Sequence, residues 1–226
     1  MTGDRAQMTD RFVLALDLDG TCADFYGRMR EIAAEWTDTE LEDLPQDADW
    51  DLEQWGIGQA NYRRFHRFAV TQRALFESMM PIKDAPQAIR RLALEGIRVR
   101  VVTHRLVIPH LHEVAVAQTV RWLDHHGIPY WDLCFLSHKG AVGADLYIED
   151  SPENITALVE AGKDVLIMSN STNRHLDVEA GTRAEDWVQA EEIIRKRYYA
   201  WLDTHGLVHP VAPGIEPTWA GDTDQL

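Results

Sequence analysis

Residues 12–21 read Phe-Val-Leu-Ala-Leu-Asp-Leu-Asp-Gly-Thr: an apolar run that ends in two carboxylates two positions apart, then a glycine and a threonine. The unbroken apolar stretch predicts a strand covered on both faces, as in a parallel sheet flanked by helices. Side chains alternate across a strand, so Asp17 and Asp19 are expected on the same side at its C-terminal end. Gly20 permits the sharp turn that must follow. Carboxylates are rarely buried without a use, so the pair points to chemistry more than to a simple acidic turn. One acid can stay ionised as nucleophile or metal ligand while the other carries a proton.

Composition narrows the classes. A chain of 226 residues, 45% of them apolar, suffices for one medium α/β domain with a small insertion. The formal net charge is −15 and the isoelectric point about 5.0, which argues against DNA or RNA polymers as partners. No apolar run reaches membrane-spanning length, and the first residues lack a signal-peptide core. Cys22 and Cys134 lack metal-site spacing and make no disulfide framework. The expectation is a cytoplasmic protein.

Beyond the first strand, helix and strand signals alternate. Helices are expected over 23–36, 61–80, 85–95, 107–126 and 184–202, and one starting at Ser151-Pro152, with Ser151 as N-cap and Pro152 at the first helical position. Further strands are expected over 97–102, 130–136, 145–149 and 164–168. Such alternation implies a parallel sheet with right-handed crossovers. Residues 35–53 hold nine acids and no lysine or arginine, with Trp36, Trp50 and Trp55 close by. This reads as a solvated face answered by Arg63, Arg64 and Arg67. Three prolines after Gly206 suggest an irregular tail.

Active sites of open parallel sheets lie beyond the C-terminal strand ends. There the chain places Asp17 and Asp19, then Thr103 with His104 and Arg105, then Glu149 and Asp150, with Lys139 just before that last strand. Each has a plainer reading: a satisfied strand end, a surface lysine, a helix cap. Together they suit magnesium and a phosphoryl group. Mg2+ takes a few carboxylate oxygens plus water and phosphate, a lysine gives phosphate a compact positive charge, and a hydroxyl donates to the same oxygens.

Over about residues 11–170, these motifs in this order resemble the four motifs of the haloacid dehalogenase superfamily. Within it the chain is similar to the 5′-nucleotidase group that includes the 5′(3′)-deoxyribonucleotidases. Asp24-Phe25 after the first motif, Pro81 to Ala85, the position of Lys139 before Glu149, and Asn173-Arg174 carry that likeness.

The resemblance implies an α/β, Rossmann-like core over 1–24 and 81–205, a small helical cap over 25–80 inserted after the first strand, and the tail over 206–226. It implies Asp17 as nucleophile forming an aspartyl-phosphate, Asp19 as acid and then base, and Thr103 and Lys139 on the transferring oxygens. Mg2+ would be held by Asp17, the carbonyl of Asp19, and Asp150. Glu149 replaces the group's usual aspartate and ranks below Asp150 as a ligand. Phe25, His104 and Arg105 are the candidate substrate contacts, with Arg105 facing either a second anion or the acidic rim. The cap tryptophans are further candidates or simply cap core.

The implied substrate is a small phosphomonoester, foremost a nucleoside monophosphate, and a homodimer is compatible with all of this. A sugar-phosphate phosphatase would use the same catalytic residues. A non-catalytic nucleotide-binding module would not need both Asp17 and Asp19. A dehalogenase would not need Asp19, and a lysine-dependent phosphonate hydrolase would need a lysine that 23–82 lacks.

Overall fold

The apolar run becomes strand β1 (Val13–Leu16), and its side chains are buried alternately on the two sides of the sheet. Leu14 and Leu16 join the larger apolar cluster, while Ala15 packs on the other face with Val102, Tyr147 and Ile167. A computed structural model describes residues 11–49, 52–106, 108–176 and 181–210. Five more strands follow: β2 (Arg98–Thr103), β3 (Asp132–Phe135), β4 (Leu146–Glu149), β5 (Val165–Met168) and β6 (Thr182–Ala184). They form one sheet in the order β3-β2-β1-β4-β5-β6, every pair parallel. This is the Rossmann-like α/β fold expected from the helix–strand alternation. β1 sits at its centre, with β2 and β4 hydrogen-bonded to either side, so three strand ends converge around Asp17.

Among the described residues seven α-helices accompany the strands: α1 (Phe25–Thr37), α2 (Gly58–Gln72), α3 (Leu75–Ser78), α4 (Ala85–Leu94), α5 (His112–His125), α6 (Pro152–Glu160) and α7 (Trp187–Thr204). Asp24 caps α1 by accepting from the Gly27 N–H at 3.0 Å. Ser151 does stand at the N-cap of α6 with Pro152 at N1, but its side chain makes no capping bond.

Several boundaries differ from the sequence expectation for local reasons. The helix expected over 61–80 is two helices, because Ala74 adopts a left-handed conformation, φ 47°, between them. α5 begins only at His112, after turns that follow β2. The sixth strand escaped the sequence reading because Thr182-Arg-Ala184 is three residues long and only partly apolar. Of the tail over 206–226, residues 211–226 lie outside the described residues.

The segment holding α1, α2 and α3 leaves and rejoins the sheet at one place. Ala23 pairs with Pro81 in an antiparallel bridge, Asp24 N–H donates to the Met80 carbonyl at 2.8 Å, and Ile82 N–H to that of Cys22 at 2.7 Å. The segment is then pinned to α5 by the buried Gln118. Its Oε1 accepts from Phe76 N–H at 3.2 Å and its Nε2 donates to the Val70 carbonyl at 2.9 Å.

Trp36 packs on Phe65 and Phe68, and Trp55 is buried with its indole N–H donating to the Pro45 carbonyl. These two tryptophans are therefore packing residues; Trp50 lies outside the described residues. The acidic run finds other partners than expected: Glu35 pairs with Arg73, and Arg30 holds the carbonyls of Leu41, Leu44 and Pro45. Arg64 lies instead over the Trp36 ring. No described helix is long and apolar enough to cross a membrane.

Gln118→Leu keeps the bulk of this contact but orphans two buried backbone groups. An unpaired buried group costs about 1–3 kcal/mol, so urea denaturation should show a loss of about 2–5 kcal/mol. A loss under about 0.5 kcal/mol would mean that Gln118 does not hold the segment.

Candidate active site

Beyond β1, Asp17 and Asp19 do point into one cavity while Leu18 between them is fully buried. The turn after them is tight. Gly20 has φ +81°, and a Cβ on it would overlap the Asp150 carboxylate. The turn is braced from behind by Trp187, whose indole N–H donates to the Thr21 carbonyl at 2.8 Å, and by the Cys22 thiol, which donates to the Asp17 carbonyl at 3.1 Å.

Lys139, in a single 3-10 turn over 139–141, is buried and bridges two strands. Its Nζ donates to Asp17 Oδ1 and, at 2.6 Å, to Glu149 Oε2. Glu149 is oriented in turn by the backbone, because Oε1 accepts from the N–H groups of Asp150 and Ser151 at 3.2 and 3.0 Å. Asp150 is held by Asn170, whose Nδ2 donates to Oδ2 at 2.8 Å, and its carbonyl accepts from Asn173 Nδ2 at 2.8 Å. Thr103 ends β2 with its Oγ1 buried and unpartnered.

One carboxylate oxygen from each of Asp17, Glu149 and Asp150 falls within 4.8 Å of the others, all three buried. One lysine cannot balance three such charges. Burial first, and then the Glu149 carboxylate, push the Asp17 carboxyl up to about 7, against the pull of Lys139. Burial and Asp17 likewise hold Asp150 well above its ordinary value. Burial opposes the charge of Lys139, but Asp17 and Glu149 more than compensate and raise it. A divalent cation fits this donor set. It would supply the missing positive charge to hard oxygen ligands, and the absence of a side chain on Gly20 leaves room for the Asp150 carboxylate beside the turn. Asp17 and Asp150 suit it best, because both oxygens of Glu149 already accept hydrogen bonds.

The cavity measures about 400 Å3. Its polar end is this cluster with Asp19, Thr103, His104 and Arg105, and the segment over 25–78 closes the other end with Phe25, Tyr26, Leu52, Tyr62, Arg63, His66 and Phe76. Phe25 is half-buried and meets Tyr26 edge-on at 5.4 Å. Burial pushes His66 down to about 4, so it is a neutral imidazole near pH 7, and burial pushes Tyr62 up to about 12. His104 is lowered by burial and then by Lys139. Arg105 lines the cavity, but its guanidinium faces Asp19.

The fold thus gathers Asp17, Asp19, Phe25, Thr103, His104, Arg105, Lys139, Glu149 and Asp150 around one space. Sequence reading passed over Asn170, although it follows the end of β5 by two residues, one more strand end of the kind searched. Tyr62, His66 and Phe76 had no such signal, because their pattern is that of any amphipathic helix.

A Rossmann-like sheet with paired aspartates, a threonine, a lysine and a second acidic pair at successive strand ends is the arrangement that the resemblance to the haloacid dehalogenase superfamily implied. Two solved structures share the fold: a haloacid dehalogenase-like hydrolase of Streptococcus pneumoniae (TM-score 0.54, 11% identity, 83% of this chain and 100% of that one) and a superfamily hydrolase of Geobacter sulfurreducens (0.50, 13%, 81% and 99%). Residues 11–208 match the family model described as 5′ nucleotidase, deoxy (pyrimidine), cytosolic type C protein. A Chlorobaculum tepidum protein named "Putative 5′(3′)-deoxyribonucleotidase" is 52% identical over 184 residues, 81% of this chain and 90% of that one. The chain belongs to this 5′-nucleotidase family and is a phosphatase.

The raised Asp17 carboxyl has a consequence for stability. Its ordinary value is 3.8, so the folded protein binds this proton more tightly than the unfolded chain does. The stabilisation is therefore full at acid pH and is lost as pH rises from about 4 to about 7. Metal-free protein should lose melting temperature over that range, Asp17→Asn should flatten the slope, and a divalent cation should offset the loss. Parallel slopes in wild type and Asp17→Asn would refute the assignment.

Proposed function

We propose that the protein is a Mg2+-dependent phosphomonoesterase acting on deoxynucleoside monophosphates through an aspartyl-phosphate on Asp17. The observation that carries this reading is the pairing of the buried Lys139–Asp17–Asp150 cluster with an aromatic chamber in one cavity of about 400 Å3. A phosphoryl group needs the first, and the second leaves room for a planar base. The family match supports the same substrate class.

In this reading the substrate phosphate enters between Asp17 and Lys139. Lys139 and the unpartnered Thr103 hydroxyl donate to its oxygens, so charge neutralisation and positioning do most of the work. Asp17 attacks phosphorus. Asp19, two residues on and facing the same space, gives its proton to the leaving oxygen and afterwards takes one from the water that hydrolyses the aspartyl-phosphate. Glu149 fixes Lys139 rather than touching substrate, and Asn170 fixes Asp150. Bound Mg2+, held by Asp17, Asp150 and the Asp19 carbonyl, would neutralise phosphoryl charge.

Phosphate release from a panel of deoxynucleoside, ribonucleoside and sugar monophosphates with Mg2+ tests the reading. Deoxynucleotides should be preferred, and folded Asp17→Asn should be inactive on all of them. A wild-type preference for sugar phosphates would remove the nucleotidase reading, and near-normal turnover by Asp17→Asn would remove the mechanism.

Phe25 is the test of the aromatic chamber. Stacking one base on one ring is worth about 1–3 kcal/mol. Phe25→Ala should lower kcat/KM for a deoxynucleotide by about one to two powers of ten, and for a small aryl phosphate much less. An equal loss on both would make Phe25 a packing residue only.

A further inference from the structure

Arg105 stands two residues after Thr103, where β2 has ended, and its side chain is wholly buried. Its Nε lies 3.1 and 3.0 Å from Asp19 Oδ1 and Oδ2, and its Nη2 donates to Oδ1 at 2.6 Å. Nη1 donates to Thr119 Oγ1 on α5 at 3.1 Å, and Thr119 Oγ1 donates onward to the Ala115 carbonyl at 2.7 Å. The guanidinium carbon lies 4.5 Å from the centre of the Phe76 ring. Arg105 is thereby fixed by α5 and α3. Among the described residues it is the sole hydrogen-bond partner of the Asp19 carboxylate, which keeps 24% of its side chain exposed.

A buried guanidinium with every nitrogen engaged is poorly placed to receive a substrate anion. It is well placed to aim a neighbour. An aspartate carboxylate turns easily about its last bond, whereas the planar fork of an arginine, gripping both oxygens, fixes its plane.

We propose that Arg105 is a positioning residue: it orients Asp19 toward the leaving oxygen of the substrate. The proposal rests on the acid–base role of Asp19 in the reading above. In that step the bond from Asp17 to phosphorus forms as the bond from phosphorus to the leaving oxygen breaks. The released electron pair takes the proton from Asp19, so a neutral alcohol departs and Asp19 is left as a carboxylate. Misdirecting the donor slows this step in proportion to how badly the leaving group needs the proton. A deoxyribose alkoxide needs it, and a nitrophenolate hardly does.

The experiment compares kcat/KM for a deoxynucleoside monophosphate and for 4-nitrophenyl phosphate, because kcat/KM covers only the steps through departure of the leaving group. Arg105→Met should lower the nucleotide value by about ten- to a hundredfold and the nitrophenyl value by less than about threefold. Arg105→Lys, which keeps the charge but not the fork, should show a smaller loss with the same selectivity. Asp19→Asn should be selective in the same sense, and adding Arg105→Met to it should cost nothing further.

Equal losses on both substrates, or losses that add to those of Asp19→Asn, would overturn the proposal. Should Arg105→Met fail to fold, Arg105→Lys decides alone: an unselective loss, or none, overturns it. If Asp19→Asn is itself unselective, the acid role of Asp19 fails and this proposal with it. If Asp19→Asn is selective and Arg105→Met is not, only the role of Arg105 fails.

Discussion

The ammonium of Lys139, buried between Asp17 and Glu149, is the contact on which the rest of the site depends. It ties the end of β1 to the end of β4 and is the only buried lysine among the described residues. Removing one partner of a buried pair costs about 3–5 kcal/mol, because the other is left charged and unsolvated. The contact also explains the division of labour between the two acids after β4. Glu149, the longer one, reaches back to Lys139 and to two backbone N–H groups, which leaves Asp150 to face the cavity. Even so, the cluster remains short of positive charge, and that shortage holds Asp17 and Asp150 above their ordinary values and makes the site receptive to a cation.

The sheet supplies the polar end of the cavity, and the segment over 25–78 supplies the rest. These halves are joined by a shared apolar cluster and by several side-chain bonds. Gln118 bonds the backbone of α2 and α3, and Arg105 touches both Asp19 and Phe76. A phosphatase whose catalytic groups recognise only phosphate must obtain substrate preference from such a segment. The aromatic residues Phe25, Tyr62 and Phe76 and the neutral His66 line that end of the cavity together with Arg63.

Most of the candidate site's rim can be read from the chain because strand ends are local events. Apolar runs mark the strands, and the polar residues that follow them must lie at one edge of a parallel sheet. Asp17, Asp19, Thr103, Glu149 and Asp150 all follow this rule. Asn170 obeys it too and was missed because Asn is an ordinary loop residue. The short β6 and the break at Ala74 were not legible, since three mixed residues and a left-handed alanine carry no periodic signal.

What the sequence determined by itself is the alternation of helix and strand, the parallel sheet, and the set of charged groups at its C-terminal edge. These follow from side-chain period and from the rarity of buried acids, both of which act over a few residues. Which charge meets which was decided only by the tertiary structure. Arg105 could have faced a substrate anion, and it pairs with Asp19, 86 residues away. Arg73 rather than Arg63, Arg64 or Arg67 meets Glu35, and Trp36 and Trp55 turn into the packing. Such choices depend on which long side chains reach one another once the backbone is placed. No local pattern encodes that distance.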